Sequence, residues 1–271
     1  MQLASESISA VLTHGLSAIR PLSSAIPDEH GWNFAPVRMP SCRAYGRIRA
    51  LYSLLEAERI KPRRVFEVAA GDASLCASLR ERTGCDVVAN DLREDDLCAS
   101  VSNYLNGTEI TLMPGNIFDI SPDSMQPFDL VIACEVIEHV AHGTEFLTHL
   151  SRFLSADGCL LLTTPNGRHF RNKLPGYYEV DHCSLEAHQF KPDADGHLYL
   201  IRPEELYAMA AECGLRVDRL LLWGSPFVSG HALLYRISGI IPQALCLYME
   251  SLIAGRVERL CVSMSAVLRK I

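Results

Sequence analysis

Apolar residues along the chain follow two kinds of pattern, and the change comes near residue 65. Before it the spacing is helical. Ile8, Val11, Leu12, Leu16 and Ile19 predict an amphipathic helix over residues 3–19. Pro21, Pro27, Pro36 and Pro40 then make an irregular segment. A second helix carries Tyr45, Ile48, Leu51, Tyr52 and Leu55 on one face and stops at Pro62. From residue 65 onward, short apolar runs at 65–68, 86–89, 111–113, 130–134, 159–164 and 217–222 read as strands, with 232–237 as a candidate seventh. Helical stretches at 73–82, 143–154 and 203–213 lie among them, the last with Pro203 in its first turn. Strands that are apolar along their whole length, alternating with helices, predict a parallel sheet covered on both faces.

The stretch 165–202 breaks this rhythm, being long, polar and rich in His, Tyr and Asp. Loops of that length inside a compact domain are commonly functional. The tail at 238–271 reads as apolar and helical. The expected architecture is α/β: a doubly wound, mostly parallel, seven-stranded sheet over residues 65–237, with the insertion at 165–202. A helical extension or cap at 1–64 precedes it and a helical tail at 238–271 follows.

Composition narrows the function classes. Hydrophobic residues make up 48%, enough for a sizeable core, and 25 basic against 32 acidic residues give a net charge of −7. No global positive field draws such a chain to a phosphate backbone, so nucleic acid is disfavoured as a partner. The ten cysteines have no C-x-x-C pair, the closest two being Cys76 and Cys85. Residues 1–10 carry no basic residue and include Glu6, unlike a secretory leader. A reduced, cytoplasmic chain using cysteine as a small apolar residue is the expectation. The nearest approach to a membrane span, 237–249, carries no charge but contains Pro242, is bounded by Arg236 and Glu250, and is too short to span a bilayer.

In a doubly wound sheet, ligands sit beyond the C-terminal strand ends. The first strand ends in Glu67-Val68-Ala69-Ala70-Gly71-Asp72-Ala73, whose small residues let a ligand approach the backbone. The second ends in Asn90-Asp91, an acid placed to accept from ribose hydroxyls. After the third comes Pro114-Gly115-Asn116-Ile117-Phe118-Asp119. After the fourth comes Glu135-Val136-Ile137-Glu138-His139, and the fifth ends in Thr164-Pro165-Asn166.

This ordered set resembles the class I S-adenosylmethionine-dependent methyltransferases, above all the branch of ubiquinone-pathway and sugar or small-molecule enzymes, over about residues 65–237. The family's first motif is an acid followed by three alternate glycines. Glu67 and Gly71 match it, while Ala69 and Ala73 replace the outer two. The resemblance implies a Rossmann-like methyltransferase fold and S-adenosylmethionine as cofactor. It implies that Glu67 orients the methionine end, Ala69 and Gly71 give backbone contact, and Asp91 holds the ribose. Leu92 and Ile117 would sandwich the adenine, with the Asn116 carbonyl on its edge. Cys134 or Glu135 would line the methionine moiety. A dinucleotide is disfavoured, because G-x-G-x-x-G is absent and Asp72 would face its pyrophosphate.

Some relatives use Glu135, Glu138 and His139 with a later histidine to hold a divalent metal, and His182, His188 or His197 could supply the fourth ligand. The preferred reading is a polar helix start, with His139 or His197 as general base. Tyr177, Tyr178, His182, His188, Phe190 and Tyr199 lie where relatives build the acceptor pocket. The expected reaction is methyl transfer to a small-molecule, glycan or lipid-linked acceptor, most naturally a hydroxyl. The alternatives are a related domain that binds without catalysis and a metal-assisted ribose methyltransferase acting at an RNA end. The apolar tail, with Leu245, Tyr248, Leu252 and Val257, would meet a membrane surface, pack on the domain, or form a homodimer.

Overall fold

The computed structural model describes residues 49, 52–54, 56–71, 73–92, 110–189, 196–230, 234–237 and 240–271. The helix expected at 3–19 and the irregular segment after it lie outside these residues, as does Phe190. Of the second expected helix, residues 49, 52–54 and 56–60 are described, and they are helical.

The apolar runs become the strands β1 (Arg64–Val68), β2 (Asp86–Asp91), β3 (Thr111–Pro114), β4 (Phe128–Cys134), β5 (Leu154–Pro165) and β6 (Leu215–Trp223). A seventh strand, β7 (Ser263–Lys270), completes one sheet in the order β3-β2-β1-β4-β5-β7-β6. The pairings from β3 through β5 are parallel, and β7 runs antiparallel to both β5 and β6.

Alternation along each strand explains why the runs are apolar throughout. On one face, Phe66, Val68, Val131, Ala133, Leu160 and Leu162 join a core closed by α2 (Gly143–Arg152) and α4 (Pro203–Glu212), with the four-residue α3 (His182–Leu185) between them in the chain. These helices contribute Phe146, Leu147 and Leu150, and Leu206, Met209 and Ala210, at helical spacing. On the other face, Val65, Leu130, Ile132, Cys159 and Leu161 meet Leu54 and Ala57 of the helical segment before β1. Leu75, Cys76 and Leu79 of α1 (Ser74–Thr83) close that layer. Each central strand therefore feeds two cores, and each fully buried large side chain contributes about 1.5–3 kcal/mol.

Three expectations change. Residues 234–237 form a 3-10 turn, so the seventh strand is not 232–237. The tail is not wholly helical: α6 (Gln243–Ile253), which comes after the four-residue α5 (Pro226–Ser229), is followed by β7, so the sheet is complete only at residue 270 rather than at 237. Burial explains the placement, since Ser263–Leu268 are all buried between β5 and β6. The buried Glu250 of α6 ties the tail to the end of β6 by accepting from Gly224 N at 2.7 Å and Ser225 N at 2.8 Å. The fifth strand also begins earlier than expected, at Leu154, with a register shift opposite Phe128 and Leu130. The eight cysteines among the described residues are all free thiols, mostly buried, as expected of small apolar side chains.

Candidate active site

Strand order reverses between β1 and β4, which opens a crevice at their C-terminal ends. Hydrogen bonds fasten the surrounding loops into one unit. Ala70 N donates to Asn90 O at 2.8 Å, and Gly71 N donates to Asp91 Oδ2 at 2.8 Å. Asn90, buried beside Asp91, donates through Nδ2 to Met113 O at 2.7 Å and Gly115 O at 2.9 Å. The loops after β1, β2 and β3 are thereby held in register. In the sequence Asn90 stands only as the neighbour of Asp91; a polar amide at the end of an apolar run is the one signal for this second role.

The turn after β1 accounts for the three-glycine pattern of the motif. Ala69, Gly71 and Ala73 have φ values of 53°, 54° and 53°, all left-handed. Glycine adopts this conformation without strain and alanine does not. Glu67 is buried at the end of β1. Leu92 is 48% exposed, whereas Ile117 is buried, so the two residues expected to sandwich adenine differ in access. The Asn116 carbonyl oxygen accepts from Phe118 N at 3.1 Å, which uses one of its two lone pairs.

Cys134 ends β4 and lies 3.7 Å from Ser53 Oγ. Burial, followed by the Glu67 carboxylate, pushes its thiol up to about 11, so it stays protonated and is no nucleophile. Glu135 follows in a left-handed conformation, with φ 56°. Its Oε1 accepts from Thr163 Oγ1 at 3.0 Å and its Oε2 lies 3.9 Å from Arg49. Arg49 belongs to the expected N-terminal extension, and nothing in its local sequence marked it as a site residue.

Of the candidate metal or base residues, three converge. Ligand atoms of Glu138, His139 and His197 all lie within 4.8 Å of one another. His197 arrives there because the end of the insertion docks on the turn after β4. Leu198 N donates to Glu138 O at 2.9 Å, and Tyr199 Oη donates to Ile137 O and Val140 O, each at 2.7 Å. Glu138 is fully buried; its Oε2 accepts from Thr164 Oγ1 at 2.9 Å. Its Oε1 has no hydrogen-bond partner and lies 4.0 Å from His197 Nε2. Burial, and then Glu135, raise the Glu138 carboxyl well above its ordinary value. Burial and then His139 lower the His197 imidazole, which favours its neutral form.

His182 engages Ala141 O at 2.8 Å and His188 is exposed, so neither joins the cluster. Tyr177 and Tyr199 are buried in the core rather than set in an acceptor pocket, and Tyr178 donates to Glu212 at 2.6 Å. A cavity of about 680 Å³ does adjoin the cluster, lined in part by Glu135, Asn166, His169, His197, Leu200 and Val262. Asn166 shapes its wall by donating to Glu258 O and Cys261 O and accepting from Arg168 N.

A family model described as a methyltransferase domain matches residues 42–220, more than half of the chain. The chain is 23% identical over 157 residues to a ubiquinone biosynthesis O-methyltransferase of Rickettsia prowazekii (strain Madrid E), covering 58% of this chain and 60% of that protein. It is 29% identical over 104 residues to a protein of the same name from Caulobacter sp. (strain K31), covering 38% of this chain and 41% of that one. The chain thus spans less than two thirds of the length of these relatives. An S-adenosylmethionine-dependent methyltransferase structure from Mesorhizobium loti shares the fold, with a TM-score of 0.54 at 14% identity, covering 82% of this chain and 98% of that one. From the match across the parallel strands, and from the sheet order, the chain belongs to the methyltransferase domain family.

Proposed function

We propose that the chain transfers the methyl group of S-adenosylmethionine to a hydroxyl of a small-molecule, glycan or lipid-linked acceptor. The observation that carries this reading is the convergence of Glu138, His139 and His197 beside a cavity that reaches the end of β4. The relatives named as O-methyltransferases support oxygen as the methylated atom.

The crevice residues suit an adenosyl group. Asp91, oriented by the Gly71 N–H, holds the ribose diol. Leu92 and Ile117 flank the adenine, and Asn116 addresses its edge with its remaining lone pair. Glu67 serves the methionine end, Ala69 and Gly71 give backbone contact, and Cys134 or Glu135 lines the sulfur side. When bound, the cofactor supplies a methyl on a sulfonium, so the chain needs no nucleophile of its own. Its residues hold the hydroxyl in line, exclude water and take a proton. Neutral His197 accepts that proton at Nε2, with His139 beside it at a ring separation of 5.0 Å.

One observation favours a second use of the cluster. The partnerless buried Oε1 of Glu138, close to two imidazoles, fits a divalent cation. Glu138, His139 and His197 would hold that ion, which would lower the pKa of the acceptor hydroxyl.

The experiment is transfer of labelled methyl to a panel of catechols, quinols and glycans by wild type and His197→Ala. The expected result is a loss of roughly 10²–10⁴-fold in the variant with S-adenosylhomocysteine binding retained. Chelator that abolishes wild-type transfer, with recovery on adding Mg²⁺ or Mn²⁺, selects the cation. Full activity of His197→Ala overturns the assignment of the cluster.

Among the described residues no helix is long and apolar enough to cross a membrane. Support for a lipid-linked acceptor, or for a homodimer, comes from α6, where Leu245, Tyr248 and Leu252 are exposed on one face.

A further inference from the structure

The cavity lining carries both signs of charge. Its half-buried members include Glu135 and His197, the latter 4.0 Å from the buried Glu138, and its exposed members include Arg171 and Lys173 of the insertion, with Asn172 between them. The insertion's other arginines are neutralised: Arg168 pairs with Glu204, and Arg202 pairs with Glu179 at 2.6 Å. Among the described residues, Arg171 and Lys173 have no such carboxylate, and both are exposed. In a chain of net charge −7, two such cations lining one cavity stand out.

The backbone that carries them is built rather than loose. Asn172, between the two, donates through Nδ2 to Gly167 O at 2.8 Å and Leu174 O at 3.2 Å, and its Oδ1 accepts from Leu174 N at 2.9 Å. Such an asparagine turn fixes the local chain direction. Upstream, Phe170 N donates to Arg259 O at 3.0 Å, and His169 N donates to Asn166 O at 3.0 Å. The two cations are therefore presented from a tethered segment, at less entropic cost on binding.

Resting on the O-methyltransferase reading, we propose that the acceptor carries an oxyanion, a carboxylate or a phosphate, which Arg171 and Lys173 bind while the hydroxyl to be methylated points to His197. Attraction to the exposed Arg171 and Lys173 sets which way the acceptor enters. Arg171 suits either oxyanion through paired N–H donors, and Lys173 adds a point charge.

The test is calorimetry on protein saturated with S-adenosylhomocysteine, using 3,4-dihydroxybenzoate, phenyl phosphate and catechol as probes. The expected result is at least tenfold tighter binding of one anionic probe than of catechol, weakening with added salt. Which anion binds tells carboxylate from phosphate. Arg171→Ala combined with Lys173→Ala should abolish the difference while S-adenosylhomocysteine binding is unchanged, and Arg168→Ala, outside the cavity lining, should keep it. Equal binding of all three probes, undetectable binding of both anions, or a preference that survives the double substitution overturns the proposal. Failure of the wild type to bind S-adenosylhomocysteine counts against the parent reading instead.

Discussion

The left-handed turn after β1 allows a prediction in which backbone strain and packing separate. Ala69, with φ 53°, is exposed, whereas Ala73, also with φ 53°, is 1% exposed. A left-handed alanine costs about 1–2 kcal/mol relative to an unstrained residue. Replacing it by glycine removes that strain but gives back about 0.4–1 kcal/mol through the freer unfolded chain. Ala69→Gly should therefore stabilise the protein by roughly 0.5–1 kcal/mol. Ala73→Gly gains the same term and loses a buried methyl worth about 0.8 kcal/mol, so it should come out near neutral. Gly71→Ala is the reverse case. Nothing lies within 4 Å of the added Cβ, so its cost is the backbone term alone, roughly 0.5–1 kcal/mol. Urea denaturation reads all three: with a slope of about 2 kcal/mol/M, the midpoint should rise by about 0.25–0.5 M for Ala69→Gly, fall by about as much for Gly71→Ala, and stay near the wild-type value for Ala73→Gly. Destabilisation by Ala69→Gly, or equal effects at 69 and 73, would refute this account of the turn.

Three further outcomes are expected. Asp91→Ala removes the ribose acid and the acceptor of the Gly71 N–H, so S-adenosylhomocysteine affinity should fall about 10–100-fold by calorimetry, in line with charged hydrogen bonds worth about 1.5–3 kcal/mol. Glu250 is raised above the ordinary carboxylate value by burial, so the folded protein binds its proton more tightly than the unfolded chain. Its contribution is then fully present below the unfolded pKa and declines as pH rises through the folded one. Glu250→Gln should flatten that decline in a pH series of melting temperatures, and an unchanged slope would contradict it. Substituting Leu245, Tyr248 and Leu252 together by serine should reduce co-sedimentation with anionic liposomes while leaving the fold intact, if the α6 face meets lipid.

How much was legible in the sequence varied with the range of the interaction. The six parallel-core and edge strands were readable because each is a near-continuous apolar run bounded by turn residues. The seventh was not. Ser263–Leu268 is a short apolar run, which by itself suits a helix or a strand, and its pairing with β5 is set by a chain segment about a hundred residues away. Residues 232–237 carried a similar local pattern and occupied its place in the sequence reading. At the site, helical spacing grouped Glu135, Glu138 and His139, but residues 137–139 form a 3-10 turn, and it is Glu138 and His139 that converge with His197, without Glu135. Selecting His197 over His182 and His188 required the docking of Leu198 and Tyr199 on the turn after β4. Tyr177 and Tyr199 looked like pocket aromatics because polarity and ring size fit either a pocket or a core, and buried hydroxyl hydrogen bonds decide for the core. Arg49 reaches Glu135 across the fold, so no local signal could have named it.

The central claim is that a hydroxyl oxygen receives the methyl group. Incubation with methyl-¹³C S-adenosylmethionine and catechol or 3,4-dihydroxybenzoate, followed by carbon NMR of the product, tests it most directly. The account predicts a single labelled methoxy signal that is strongly reduced in the His197→Ala protein. A label on nitrogen or carbon, or no transfer by protein that binds S-adenosylhomocysteine, would contradict it.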